Sequence, residues 1–423
     1  MLQINYITEN QQEVIEKLKI KNFDASEILP NLAQLNTDRK NIQKELDLSL
    51  AEGNKIAKSI GQLFKEGKAQ EAQEMKVKSG ELKNLGKSLS EKLQKTEKDI
   101  HDLILMLPNI PHPSVVNGKG EEDNEILSNH GEIPELGENK LPHWELAKKY
   151  DLIDFDLGSK LTGAGFPVYK GKGAKLQRAL INFFLDTAID SGYQEVIPPL
   201  MVNEDSAYGT GQLPDKEGQM YHITADNLYM IPTAEVPVTN IYRDVIVKEA
   251  DFPIKNVAYS ACFRREAGSY GKHVRGLNRL HQFDKVEIVQ VQHPEKSYDT
   301  LEDMKAHVSG LLEKLGLPYR ELRLCGGDLS FTAALTFDYE VYSAGQERWL
   351  EVSSVSNFEN FQANRLKLRY KDANGKTQLA HTLNGSALAL PRIMAALLEN
   401  NQTANGIVIP EVLRSYTRFD IIN

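Results

Sequence analysis

The clearest periodicity in the chain lies between residues 31 and 106, where apolar side chains recur at seven-residue intervals. Leu35, Ile42, Ile56 and Leu63 share one heptad position and Leu46 and Ile60 the other, with Arg39, Ser49 and Gly53 as interruptions. A second run repeats the pattern: Met75, Leu82, Leu89 and Leu103 on one position, Leu93 and Ile100 on the other. Between the runs, Glu66-Gly67-Lys68 is a natural reversal point. The pattern predicts two long helices folded back as an antiparallel coiled coil, each about 33 residues and roughly 50 Å long at 1.5 Å per residue. A two-helix seam is too narrow for a domain core, so such an arm projects. A spacer or dimerisation coil and a phosphate-contacting arm both fit. Lys55, Lys58, Lys65, Lys68, Lys76, Lys78, Lys83 and Lys87 flank the distal half but are interspersed with acids. Ahead of the arm, residues 1–30 suggest only a small helical cap ending near Leu29-Pro30.

The periodicity then stops. Leu107-Pro108-Asn109-Ile110-Pro111-His112-Pro113 ends the second helix, and residues 107–143, rich in Pro, Gly, Asn and Glu, read as the boundary between an N-terminal helical domain (1–106) and a second domain (144–423). In that second domain the pattern changes to single helices and alternating segments. Apolar residues at 176, 180, 183, 184 and 188 make one stripe on a helix over 174–190, Gly192 ends it, and residues 193–200 run extended to Pro198-Pro199. Residues 349–357 alternate as a strand, and 382–392 read as strand, turn and helix start. The expected class is therefore α+β: an antiparallel β-sheet domain flanked by helices, with the helical arm before it.

Candidate chemistry concentrates in one hairpin. Residues 262–287 read as two strands around a basic loop with glycines at 268, 271 and 276. Alternation puts Arg264 and Glu266 on one face, and Arg279, His281, Phe283, Lys285 and Glu287 on one face of the return strand. Cations suited to bidentate phosphate contact thus meet an aromatic ring suited to a base, on a sheet surface open to a flat anion such as a nucleotide. Thr233 and Glu235, at strand spacing, suit an ammonium-bearing ligand, or are simply a buried-edge Thr beside a surface Glu. Glu351 with the hydroxyls of Ser353 and Ser354 makes a hard-oxygen set for Mg²⁺. Arg392 at a helix start places a cation beside the positive end of the helix, a phosphate grip or a plain surface arginine.

Composition narrows the classes. With 41% hydrophobic and 26% charged residues, the 423-residue chain has the make-up of a soluble globular protein of two domains. No apolar run approaches a membrane span of about 18 residues, and the N-terminus lacks a secretory pattern, so no membrane role and a cytoplasmic location are expected. Cys262 and Cys325 are the two cysteines, and the histidines do not cluster at ligand spacing, so no zinc is expected. The formal charge of −9 argues against bulk attraction to nucleic acid and confines any RNA contact to a local basic track.

Phe263-Arg264-Arg265-Glu266 followed by Arg279-Leu280-His281-Gln282-Phe283 resembles motif 2 of the class II aminoacyl-tRNA synthetases. The string Arg264 to Ser269, with Arg275-Gly276-Leu277 and His281-Gln282-Phe283, resembles the seryl-tRNA synthetases more narrowly. The helix and extended segment ending at Pro199 resemble motif 1, the family's dimer interface. Residues 382–392 resemble motif 3, with Ala387 and Pro391 where the usual form has glycines. The arm stands where that family has one.

The resemblance implies ATP-dependent activation of L-serine to seryl-adenylate and transfer to the 3′ end of tRNA(Ser), and leaves tRNA(Sec) open as a second acceptor. It implies a homodimer whose arm grips tRNA. Arg264 would hold the α-phosphate and the serine carboxylate, Arg392 the γ-phosphate, and Glu351 with Ser354 the Mg²⁺. Glu266 would read adenine and Phe283 stack on it, with Arg265, Val352 and Ser353 completing the ATP-binding stretches. Thr233, Ala234, Glu235 and Glu287 would take the serine ammonium and its neighbours, and Asn384 and Ser386 the serine side. Two other classes remain compatible with parts of the chain. An enzyme passing an activated amino acid to a carrier protein would lack the arm. A non-catalytic RNA-binding paralogue would lack the charged set.

Overall fold

The computed structural model describes every residue except 216, 267–270, 272 and 273. Gly268 and the rest of that loop stretch, which the hairpin reading and the Arg264 to Ser269 string included, lie outside the described residues. Two compact units emerge: Met1–Lys19 with Phe23–Pro108, and Ile20–Asn22 with Asn109–Asn423. Among the described residues no helix is long and apolar enough to cross a membrane.

In the first unit, short helices Ile4–Glu9 and Gln11–Lys19 precede α1 (Ile28–Lys65) and α2 (Ala69–Ile104), which pack on each other. At 38 and 36 residues they exceed the sequence expectation, reaching about 55 Å at 1.5 Å per residue. The extra length comes partly from Pro30, which sits inside the first turn of α1 rather than ending the segment before it. Proline is tolerated there because the first-turn N–H groups have no helical partner. The reversal at Glu66, Gly67 and Lys68 stands where the heptads break, with Gly67 at φ +78°. The seam is thin: its apolar cluster is Ile42, Leu46 and Leu89 with Leu93 against them, while small or polar Ser49, Ala72, Gly86 and Thr96 fill other inward positions. Ser49 Oγ satisfies itself across the seam by donating to the Leu82 carbonyl at 3.3 Å. Met75, expected in the seam, is exposed.

The second unit is built on an eight-stranded sheet. The sheet strands and the helices that matter for the site are, in chain order, β1 (Glu125–His130), α3 (His143–Lys149), α4 (Gly171–Asp190), β2 (Gln194–Glu195), α5 (Glu235–Asn240), β3 (Ile254–Phe263), β4 (Gln282–Gln292), α6 (Ser297–Leu315), β5 (Tyr319–Arg323), β6 (Leu335–Ser343), β7 (Arg348–Asn357), β8 (His381–Ala389) and α7 (Leu390–Asn400); smaller helices and strands lie between them. Strand order is β1-β5-β6-β7-β8-β4-β3-β2, antiparallel throughout except for the edge pair β2 and β3. Helices α4, α6 and α7 pack on the sheet. Central strand β4 is buried on both faces from Lys285 onward, so its polar side chains must find partners inside the protein.

Two sequence expectations are refined here. Residues 107–143 are not a bare connection, since β1 pairs with β5 and Asn109 is buried, donating to the Thr332 and Phe358 carbonyls at 2.9 Å. The extended stretch after Gly192 is regular only over β2; Pro198 and Pro199 remove the donors a longer strand would need.

Candidate functional site

The hairpin β3–β4 pairs in a continuous register from Phe263 opposite Gln282 to Ile254 opposite Val291. Alternation then carries Phe283, Lys285 and Glu287 to one face, where they line a cavity of about 640 Å³. The sequence reading extended that strand logic too far at one end. Strand β3 stops at Phe263, and Glu266 sits at φ +47°, so Arg264 and Glu266 do not share a strand face. Both nonetheless line the cavity. The Arg264 guanidinium lies 5.2 Å over the Phe283 ring, and Arg279 Nη1 donates to Glu266 Oε2 at 2.8 Å. Phe283, Arg264 and Arg279 thus stand together in the cavity lining. Arg265 is exposed and outside the cavity lining.

Thr233 and Glu235 likewise do not lie on a strand. Pro232 precedes them, and Glu235 opens the short helix α5, its N–H donating to Thr233 Oγ1 at 3.2 Å. Both line the cavity, whereas Ala234 packs away from it against Val238, Ala258 and Val289. Glu235 is buried, which pushes its carboxyl up to about 7; the charge of Glu287 adds to this, and hydrogen bonds from Gln362 and Asn384 oppose it. Gln362 Nε2 donates to Glu235 Oε1 at 2.7 Å, and Gln362 Oε1 accepts from the Thr382 hydroxyl at 2.8 Å. Glu287, also buried, pairs with Lys285 at 2.7 Å and accepts from Ser386 Oγ at 3.3 Å. Two buried carboxylates facing one small space make a site for a cation that carries hydrogen-bond donors.

At the other end of the cavity, register changes decide which side chains arrive. Glu351 and Ser354 are three residues apart, so strict alternation would send them to opposite faces. The β6–β7 pairing slips between Tyr339 and Glu340, which oppose Ser353 and Glu351 respectively, leaving Val352 as an extra residue. Such a bulge shifts the alternation by one, and Glu351, Val352, Ser353 and Ser354 all line the cavity. A second slip between Lys285 and Glu287 adds a residue to β8, which delivers Asn384 and Ser386 to the cavity and still brings Ala389 to it. Helix α7 follows at once, with Pro391 in its first turn. Arg392 Nη1 donates to the Glu351 carbonyl at 2.8 Å and lies 3.6 Å from its carboxylate.

Asp338, directly opposite Ser354 in the register, also lines the cavity and was not singled out from sequence. Its Oδ1 is buried without a hydrogen-bond partner, and burial, then the charge of Glu351, raise its carboxyl well above the ordinary range. Gln362 and Asn278 also carry polar contacts here and have no mark in the sequence, whereas Arg279 and Lys285 belong to the cation set expected beside Phe283; Arg279 reaches the cavity although β4 begins only at Gln282. Among the described residues, no group of three or more His, Cys, Asp or Glu side chains is placed to hold a metal ion.

The comparisons with known proteins bear on all of this. Residues 1–111 match the seryl-tRNA synthetase N-terminal domain, and residues 221–401 match the tRNA synthetase class II core domain (G, H, P, S and T). A serine–tRNA ligase of Salinibacter ruber is 49% identical over 99% of this chain and 98% of its own length. One from Chlorobaculum parvum is 46% identical over the whole of both. Among solved structures, seryl-tRNA synthetase from Pyrococcus horikoshii complexed with ATP aligns with a TM-score of 0.93 at 34% identity, covering 100% of this chain and 99% of that one. With that breadth of likeness at both ends of the molecule, the chain belongs to the seryl-tRNA synthetase family of class II aminoacyl-tRNA ligases.

Proposed function

We propose that the cavity joins L-serine to ATP, giving seryl-adenylate and pyrophosphate, and then passes the seryl group to the terminal ribose of tRNA(Ser). The observation that carries this reading is the division of one cavity into a cationic, aromatic half at Arg264, Phe283, Arg279 and Arg392 and a small buried acidic half at Glu235 and Glu287. The first half suits a nucleoside triphosphate and the second an amino acid's ammonium group, with Ser386 and Asn384 beside it for a hydroxyl. The Pyrococcus horikoshii relative was solved with ATP, which agrees with the cationic half.

The chemistry needs no protein nucleophile. An oxygen of the serine carboxylate attacks the α-phosphorus, the new C–O–P linkage forms as the bond to the β-phosphate oxygen breaks, and pyrophosphate leaves with that electron pair. Charge grows on phosphate oxygens, so the protein contributes by positioning and by fixed positive groups. Arg264 holds the α-phosphate and the attacking carboxylate, its guanidinium steadied over the Phe283 ring, and Phe283 offers the aromatic surface on which adenine stacks. Glu266 accepts from the adenine amino group and Arg392 grips the γ-phosphate. In the second step the ribose hydroxyl attacks the seryl carbonyl, and AMP leaves.

Glu351 and Ser354 are hard oxygen donors, and the unpartnered buried Oδ1 of Asp338 beside them is the kind of atom a bound cation environment satisfies. These residues would hold the Mg²⁺ that the family implies. When bound, Mg²⁺ neutralises triphosphate charge. Serine is selected over alanine by its hydroxyl, which has Ser386 and Asn384 beside it as polar partners. The protein works as a cytoplasmic homodimer, with the arm as the tRNA contact. Replacing Arg264 by alanine is expected to abolish serine-dependent ATP–pyrophosphate exchange; exchange near the unaltered rate would remove Arg264 from its role.

A further inference from the structure

Behind the cavity, a buried polar network joins the loop between β3 and β4 to helix α7. His143, the first residue of α3, and Glu399, near the end of α7, are both fully buried. Glu399 Oε1 accepts from the His143 backbone N–H and meets His143 Nδ1, each at 2.8 Å. On the far side of the ring, the Leu277 N–H donates to Nε2 at 2.8 Å. A donor facing Nε2 requires a lone pair there, so the proton sits on Nδ1 and is directed at the Glu399 carboxylate. The other carboxylate oxygen accepts from the Ser343 hydroxyl and, at 3.0 Å, from the Gly345 N–H. Every strong acceptor position on a buried charge is thus occupied, and these bonds hold the Glu399 carboxyl below its ordinary value despite its burial.

The network touches the site at two points. Leu277 is followed by Asn278, whose carbonyl accepts from Arg392 Nε at 3.1 Å, and whose side chain donates to Gln346 Oε1 at 2.8 Å. Gln346 returns the connection by donating to Glu399 Oε1 at 3.1 Å. Next along the chain is Arg279, which pairs with Glu266. Gly276, at φ +68°, is required here for a second reason: a Cβ on it would stand 2.2 Å from His143 Nε2.

We propose that His143 is a positioning residue: it fastens the return limb of the β3–β4 loop to helix α7, so that the Arg279–Glu266 pair and Arg392 are set in the cavity as one unit. Nothing in the proposed chemistry uses the imidazole directly. Its contribution is to hold the adenine end and the γ-phosphate end of the nucleotide site in a fixed relation, leaving the serine pocket to other elements.

Two variants divide the ring's functions. His143→Asn keeps a donor near the Nδ1 position for Glu399 and loses the acceptor for Leu277. His143→Gln extends an amide oxygen toward Leu277. In steady-state exchange, His143→Asn is expected to raise KM for ATP by about tenfold or more, the scale of leaving a buried N–H unpaired, with KM for serine within about twofold. His143→Gln is expected to recover most of the loss. A KM for ATP unchanged in His143→Asn, or raised in equal measure with that for serine, overturns the proposal. This kinetic test rests on the reading of the cavity as a serine and ATP site; absence of serine-dependent exchange in the unaltered enzyme would overturn that reading instead. Amide hydrogen exchange in the unaltered protein needs no such reading and no variant that folds: the Leu277 amide is expected to be protected like those of β4, and exchange at open-loop rates overturns the proposal.

Discussion

Glu235 shows how one buried side chain can make ligand recognition depend on pH. Burial, with Glu287 nearby, pushes its carboxyl up to about 7 from an ordinary 4.5. Between those values the folded protein keeps a proton that the unfolded chain has released, so this group makes stability fall as pH rises across that window. An ammonium ligand favours the ionised carboxylate, so binding runs the other way. KM for serine is expected to fall as pH rises from 6 to 8, by up to about tenfold per unit below the carboxyl's pKa, and Glu235→Gln should bind serine weakly with that dependence flattened. A serine KM that is flat over this range in the unaltered enzyme would remove Glu235 as the ammonium partner. Glu287 is legible in the sequence through its strand phase, and Glu235 through its place beside Thr233, although Glu235 opens a helix rather than lying on a strand. Gln362, which steadies Glu235 from 127 positions away, is not, because a single glutamine carries no periodicity and its partner is set by the fold. Asp338 escaped for the same reason: its meaning comes from standing opposite Ser354.

At the scale of elements, the arm and the sheet differ in how much the chain reveals. Heptads are local, so α1, α2 and their turn are legible, while the start at Ile28 is hidden by Pro30 and Met75 is exposed rather than in the seam. The sheet's bulges were not legible. A one-residue slip in β7 or β8 depends on pairing with a distant strand, yet it decides whether Glu351 and Ser354 face the same cavity. The end of β3 at Phe263 and the turn into α5 at Glu235 were misjudged likewise, since alternation in sequence continues past the point where hydrogen-bond partners run out. The arm's seam is thin, with one small apolar cluster, and several of its lysines pair with acids, as Lys78 does with Glu52 across the two helices. An element so lightly packed is not a core for the other unit. Deleting residues 38–102 is expected to spare serine-dependent exchange and to remove tRNA charging. Loss of both activities would make the arm structural.

For the molecule as a whole, the formal charge of −9 gives no bulk attraction to the proposed anionic substrates, so their recognition rests on the individual placement of Arg264, Arg279 and Arg392 in the cavity lining. Ile197 is 87% exposed just after β2, with Ile189 and Met201 also exposed nearby in the chain. These side chains are expected to be covered in the proposed homodimer. Sedimentation is expected to give twice the 47.5 kDa chain mass, and Ile197→Asp to shift the protein toward monomer; a monomer from the unaltered chain contradicts the dimer. The proposed reaction requires that the two halves of one cavity take ATP and serine. The most direct test is ATP–pyrophosphate exchange by the purified full-length protein with each amino acid in turn, followed by charging of total tRNA. Serine alone is expected to drive exchange and to appear on tRNA; exchange driven by a different amino acid, or by none, would contradict it.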